Sequence, residues 1–256
     1  MRKYIKTAHL AAREKTNGGV VWLLPEILIK AATLVPLLFL WRAVLTSGAG
    51  SAGMSVSQIL SYTTVSALLS EPLTVQTKAS GWLSEGVILK LYGRPLPVLG
   101  QLAAQTVGGW LPNLALFSLP TAAIAVSFGV NLIPASPLFP LSLLLCVSLG
   151  FAVDLLFSCL ALKLRSIDWL ISRLRQAVAA VLSGTVIPIR LLPFGVAEAV
   201  KLQPFASLGG APLSVFIGSA DTGEILVLQI LWNLILWPAA LLIWRKSREG
   251  MVSYGG

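Results

Sequence analysis

Residues 183–218 read SGTVIPIRLLPFGVAEAVKLQPFASLGGAPLSVFIG, which fits neither an ordinary loop nor an ordinary membrane helix. The stretch is too apolar for a surface loop, and four prolines and a glycine pair interrupt it too often for one uniform span. Non-helical backbone at membrane depth is tolerated only where protein or a water-filled cavity satisfies its polar groups. The stretch therefore predicts a transport path, or an ordered cap over one, which a simple anchor would not need.

The composition is that of an integral membrane protein. Of the 256 residues, 56% are hydrophobic and 11% are charged, whereas soluble domains carry about 25% charged residues. The net charge of +9 could suggest nucleic acid, but the positive residues sit at the edges of apolar runs. We therefore predict no nucleic-acid partner and interpret the charge as a topology signal.

Six apolar runs are long enough to cross a bilayer, which takes about 20 residues of helix. The second and fifth are the least hydrophobic. The runs lie near Gly19–Leu45, Val56–Thr77, Val98–Val126, Pro137–Leu164, Leu170–Ile189 and Glu224–Trp244.

The basic residues are distributed unevenly between these runs. Of the 19 Lys and Arg, five precede the first run, three follow the second and three follow the sixth. Four more lie between the fourth and fifth runs or close to their facing ends: Lys163, Arg165, Arg173 and Arg175. With six spans these four regions share one side, and by the positive-inside rule that side is cytoplasmic. We expect both termini there, in a multi-pass protein of the cell (inner) membrane.

The N-terminal residues 1–18 predict an amphipathic helix at the membrane interface. At 100° per residue, Tyr4, Ile5 and Ala8 fall on one face with Ala11 and Ala12, opposite the basic residues. A frayed basic tail that serves only as a topology signal is the alternative.

Catalytic motifs are absent from the sequence. His9 is the single histidine, and the sequence lacks HExxH, GxSxG and the phosphate loop GxxxxGK[ST]. We expect no metal site, no cofactor in this chain and no enzymatic activity. Any energy-driven work would depend on a partner.

The 183–218 run resembles the segment between the fifth and sixth spans of ABC-2-type permeases, which often show SG-x-x-IP-x-x-x-LP there. Ser183, Gly184, Ile187, Pro188, Leu192 and Pro193 match that pattern, and Pro204, Phe205, Pro212 and Gly218 match its continuation. Gln203 stands where leucine is usual.

A second resemblance lies in residues 84–102, SEGVILKLYGRPLPVLGQL, which are similar to the segment after the second span in one branch of that family. Gly86, Arg94, Pro95 and Leu96 fit its pattern. The likeness covers essentially the whole chain, including the basic tail that ends at Gly255 and Gly256. It implies a single permease domain that pairs with a second permease, the same or related, and with two ATP-binding subunits that hold ATP and Mg and drive export.

Residues 80–96 mix apolar and charged side chains on the predicted cytoplasmic side. Such a short amphipathic helix can dock into a groove of a soluble partner, and the resemblance makes it the helix that couples to the ATPase. A membrane-surface helix without a partner is the alternative. The candidate coupling residues are Ser84, Glu85, Gly86, Lys90, Arg94 and Pro95.

Glu71 and Asp154 are acids inside predicted spans, where acids usually face a bundle interior or water. Either could line a transport route or only fix packing. Glu26 and Lys30, four residues apart on one helix, predict a mutual ion pair. The candidate residues of the translocation path or gate are Glu71, Gln105, Pro188, Pro193, Pro204, Phe205 and Pro212.

Together these observations predict an all-α permease with six transmembrane helices. Residues 183–218 would form broken, re-entrant helices on the extracytoplasmic side. A non-transporting membrane scaffold or sensor shares the topology and the missing motifs, and it is the alternative function.

Overall fold

The computed structural model describes residues 1–17, 19–46, 54–84, 88–127, 129–163, 168–192 and 195–252. These residues are helical throughout their regular structure and contain no β-strand. The α-helices, in chain order, are α1 Arg2–Thr16, α2 Leu24–Thr46, α3 Val56–Leu68, α4 Ser70–Leu73, α5 Ala79–Ser84, α6 Leu89–Tyr92, α7 Val98–Asn113, α8 Leu119–Ser127, α9 Phe139–Lys163, α10 Asp168–Leu182, α11 Val196–Leu202, α12 Gly210–Ile217 and α13 Thr222–Val252.

Four helices among the described residues are long and apolar enough to cross a membrane. They cover Leu24–Val44, Val98–Ser127, Phe139–Ala161 and Thr222–Ser247, which are the first, third, fourth and sixth predicted spans. The second and fifth predicted spans contain shorter helices, α3 with α4 and α10. The all-helical membrane fold is thus confirmed, whereas the count of six spans and the side of the termini stay predictions.

The second predicted span is broken at a proline. Pro72 has no backbone N–H, so the Leu68 carbonyl one turn earlier cannot receive its helical hydrogen bond. The hydroxyl of Ser118, on the neighbouring helix, donates to that carbonyl at 2.6 Å. A side chain from another helix therefore satisfies the backbone group that the proline leaves free.

Helix α1 packs lengthwise on α7. A Cβ built on Gly100 would lie 2.8 Å from the Tyr4 ring, and one built on Gly108 would lie 2.1 Å from the Ala8 carbonyl oxygen. Both contacts advance together along the chain, so the two helices run in the same direction. The predicted helix is present, and Tyr4 and Ala8 of its predicted apolar face contact α7. Ile5, on the same predicted face, is exposed. The position of α1 at a membrane surface stays a prediction.

Helices α9 and α13 pack along each other and frame the two apolar cores. One core joins them to the 80–96 segment and α7, and the other joins α9 to α3, α4 and α12. The first contains Ala79, Ile88, Leu91, Val98, Leu102, Ala152, Leu155, Cys159, Ala240 and Trp244. The second contains Met54, Ile59, Tyr62, Val65, Leu73, Cys146, Leu213, Phe216 and Ile217.

Candidate functional site

A cluster of charged and amide side chains joins four helices around Glu71. Lys30 Nζ lies 3.0 Å from Glu71 Oε1 and 3.5 Å from Glu26 Oε1. Asn113 Nδ2 donates to both carboxylates at 2.5 Å. The predicted pair of Glu26 and Lys30 is confirmed, but the shortest contact of Lys30 is with Glu71, 41 residues along the chain.

Lys15 brings the N-terminal helix into this cluster. Its Nζ lies 3.7 Å from Glu26 Oε2 and 3.9 Å from Glu71 Oε1. Two lysines and two glutamates thus balance each other, which lowers the free-energy cost of partly burying each charge. The arrangement couples α1, α2, α4 and α7 electrostatically.

A cavity of about 330 Å³ opens beside the cluster, between α1, α7 and residues 71–78. Glu71 and Gln105 both line it, so the structure brings together two of the residues that the sequence assigned to a path. Its wall is mixed in character. The lining residues are Ala11, Glu14, Lys15, Glu71, Gln76, Lys78, Leu102, Gln105, Thr106, Gly109 and Trp110.

The 80–96 segment is not the single helix that the sequence predicted. Helix α5 ends at Ser84 and α6 covers Leu89–Tyr92, while Arg94 and Pro95 lie in a non-helical turn. Glu85 and Gly86 lie outside the described residues. Pro95 and Pro97 explain the end of the helix, because proline disfavours the helical conformation of the residue before it.

The described part of the 80–96 segment has a buried and an exposed side. Ile88 and Leu91 are 1% and 4% exposed and insert into the first core, whereas Lys90, Arg94 and Pro95 are exposed. Three of the six candidate coupling residues are therefore accessible to solvent.

Gln101 fixes this turn to α7, a role that sequence reasoning did not assign. Its Nε2 donates to the Leu91 carbonyl at 2.9 Å and to the Leu96 carbonyl at 2.8 Å. The side chain is fully buried. The two carbonyls belong to the ends of the turn that carries Arg94 and Pro95, so Gln101 sets the position of that turn on α7.

Asp154 takes part in a second buried network, which includes Thr77, just before the 80–96 segment in the chain. Arg175 Nη2 lies 3.3 Å from Asp154 Oδ1, and the Thr77 hydroxyl donates to Asp154 Oδ2 at 2.5 Å. Arg175 Nη1 also donates to the Val75 carbonyl at 2.8 Å. The sequence predicted Arg175 to be a cation at a membrane edge, but it is an internal partner that ties α10 to α9.

Side chains of other helices satisfy the broken backbone of residues 183–218. Tyr62 Oη donates to the Gly184 carbonyl at 2.6 Å, and Ser66 Oγ donates to the Thr185 carbonyl at 2.7 Å. Gln229 Nε2, from α13, donates to the Ser207 carbonyl at 2.9 Å. Protein side chains therefore satisfy these three carbonyls, as a position at membrane depth would require.

Close backbone contact explains the glycines of the same segment. Gly210 N donates to the Ser183 carbonyl at 2.7 Å, and a Cβ on Gly210 would lie 2.3 Å from that oxygen. Gly184 has a φ of 77°, a left-handed conformation that glycine adopts without steric cost. The SG and GG pairs of the sequence thus pack against each other.

Gln203, which replaces the usual leucine, also has a structural role. Its Nε2 donates to the Leu182 carbonyl at 2.8 Å, and its Oε1 accepts from the Phe205 amide at 2.7 Å. Farther along, Lys201 bridges Glu198 and Glu224 at 2.5 and 3.3 Å. Hydrogen bonds with these two carboxylates raise the pKa of Lys201, which keeps it charged.

The remaining path candidates are separate from the cavity beside Glu71. Pro188 and Pro212 are buried in the packing of the 183–218 segment, and Pro204 and Phe205 are half-buried. Pro193 lies outside the described residues. The sequence therefore grouped residues of two different places, one at a cavity and one within a packed connection.

Comparison with known families identifies the class of this membrane protein. The family model described as ABC-2 family transporter protein matches residues 31–255. A search of curated proteins gives no match. The chain belongs to the ABC-2 transporter family, and it is a transmembrane permease of the ABC type. The resemblance seen in the sequence motifs is thereby confirmed.

Proposed function

We propose that the chain is the permease subunit of an ATP-driven exporter in the cell membrane. Two permeases, identical or related, would form the translocation path, and two separate ATP-binding subunits would supply ATP hydrolysis with their own Mg. The family match over residues 31–255 carries this proposal.

The exposed surface of Lys90, Arg94 and Pro95 supports an ATPase contact at this place. It has the features expected of a docking site: charged side chains outside, and Ile88 and Leu91 anchored in the core beneath. Gln101 fixes the turn to the start of α7, which begins the 30-residue apolar helical run Val98–Ser127. A push on the turn would therefore be transmitted to α7, which lines the cavity beside Glu71.

Co-purification from the native membrane tests the partnership. The tagged, solubilised chain should bring down an ATP-binding subunit encoded beside it. Failure to recover any such subunit from gently solubilised membranes would contradict the proposal and favour the scaffold or sensor function.

The contact surface has its own test in reconstituted vesicles. Replacing Lys90 and Arg94 together by alanine should leave insertion intact and reduce the stimulation of ATP hydrolysis by the permease. Lys3→Ala with Lys6→Ala, two exposed lysines of α1, is the matched control. Equal stimulation in both double variants would remove the contact from residues 88–95.

A further inference from the structure

The cavity beside Glu71 carries charges of both signs, and their contacts are long. Lys15 lies 3.7 and 3.9 Å from its two glutamates, and Lys78 Nζ lies 3.8 Å from Glu14 Oε1. N–H···O hydrogen bonds measure about 2.7–3.2 Å. Among the described contacts, both ammonium groups at this cavity therefore lack a close acceptor and can donate to a bound group.

The pairing of charges selects the kind of ligand. Two lysines and two glutamates line the cavity, so an anion bound to Lys15 and Lys78 would also lie beside the carboxylates of Glu14 and Glu71. Glu71 keeps its contacts with Lys30 and Asn113 whatever the cavity binds. A ligand that carries a phosphate and an ammonium can pair with the lysines and the glutamates at once. Its contacts can therefore replace the long ion pairs of Lys15 and Lys78 without leaving a charge unpaired.

The size and walls of the cavity suit a headgroup with part of an acyl chain. Its volume of about 330 Å³ is at the lower end of the roughly 300–1,000 Å³ that small-molecule sites occupy. Leu102, Trp110 and Ala11 give it an apolar side. Leu10 on α1 and Leu111 on α7 are exposed apolar residues of the same two helices.

Gly109 keeps this space open. It lines the cavity, and a Cβ placed on it would meet no atom within 4 Å. The adjacent Gly108 instead touches the Ala8 backbone. One glycine of the pair thus permits the contact of α1 with α7, and the other leaves room beside that contact.

We infer that this cavity binds the headgroup of a zwitterionic phospholipid, with Lys15 and Lys78 on the phosphate and the carboxylates of Glu14 and Glu71 on the ammonium. The bound lipid would fill the gap between α1, α7 and residues 71–78. The site is independent of the proposed function, because it requires neither an ATPase nor transport.

Binding to the purified full chain in detergent tests the site. The probe is dihexanoyl phosphatidylethanolamine, titrated by calorimetry, with dihexanoyl phosphatidylglycerol and inorganic phosphate as competitors. We expect saturable binding of the zwitterionic lipid and at least tenfold weaker binding of both competitors. No saturable binding, or equal competition by phosphatidylglycerol or phosphate, would overturn the inference.

Three variants locate the binding. Gly109→Leu should fill the cavity and abolish saturable binding. Lys78→Ala, at a side chain that is 66% exposed and so not needed for folding, should weaken it about tenfold, the effect of losing one charge-assisted hydrogen bond. Lys6→Ala, exposed elsewhere on α1, should bind like the unaltered chain. Unchanged binding in Lys78→Ala overturns the site even if Gly109→Leu does not fold.

Discussion

The 183–218 and 80–96 segments both interrupt the helical bundle, but the protein holds them in opposite ways. In the first, other helices reach in and satisfy the backbone, through Tyr62, Ser66 and Gln229. In the second, Ile88 and Leu91 of the segment itself insert into the first core, and its charged side chains stay exposed. The first connection is therefore an internal part of the frame, whereas the second is anchored from one side and leaves the other exposed.

Glycine substitutions should show the largest difference in stability between the two segments. Gly210→Val places atoms at the Ser183 carbonyl, 2.3 Å from an ideal Cβ, and backbone on both sides cannot yield easily. We expect a loss of about 3 kcal/mol or more in the free energy of unfolding. A large drop in melting temperature and aggregation in size-exclusion chromatography would show it.

Gly81 is the matched position in the 80–96 segment. A Cβ there would meet nothing within 4 Å, and the residue lies inside α5. Gly81→Ala should be neutral or raise stability by up to about 1 kcal/mol, because alanine favours a helix over glycine. Equal melting temperatures for Gly81→Ala and Gly210→Val would remove the contrast between the segments.

The next largest effect should come from the buried pair of Arg175 and Asp154, whose partner Thr77 lies just before the 80–96 segment in the chain. Arg175→Met leaves the buried carboxylate of Asp154 without its cation, which costs about 3–5 kcal/mol. Adding Asp154→Asn should recover much of this loss. Arg173→Met, at an exposed arginine on the same helix, is the control. The free energy of unfolding of each variant is measured by denaturation. If Arg173→Met loses as much as Arg175→Met, the loss does not come from the buried pair.

Tyrosine hydroxyls give the smallest and most local comparison. Tyr62→Phe removes the donor to the Gly184 carbonyl and should cost about 1–2 kcal/mol, since the buried carbonyl is left without that partner. Amide hydrogen exchange should rise around residues 183–190. Tyr92→Phe, in α6 and 42% exposed, should change neither measurement. Exchange that is unaltered in Tyr62→Phe would contradict the internal role of the 183–218 segment.

Hydropathy predicted the parts of the fold that depend on local sequence. The long helices and the pair of Glu26 with Lys30 follow from composition and spacing within a few residues. The Gly-Gly and Ser-Gly pairs marked unusual backbone at 183–218, and the contact of Gly210 with Ser183 explains them.

The sequence could not show which distant residues meet. Lys15 and Asn113 join Glu71 across 56 and 42 residues of chain, and neither position carries a local signal of that contact. Gln101 is a polar residue in an apolar helix, and nothing near it in the sequence marks the Leu91 and Leu96 carbonyls as its partners. The sequence predicted one helix over residues 80–96, and its alternating apolar and charged residues do not show that α5 and α6 are separate elements. Pro95 accounts only for the end of α6.

Site-directed cross-linking tests the central contrast most directly. Cysteines introduced as Arg94→Cys and Val196→Cys, both at exposed positions, would be treated with a short thiol-reactive cross-linker in the presence of the co-purified ATP-binding subunit. The native Cys146 and Cys159 are buried and should not react. We expect a cross-link to that subunit from position 94 and none from position 196. A cross-link from position 196, or none from position 94, would contradict the assignment of the partner surface.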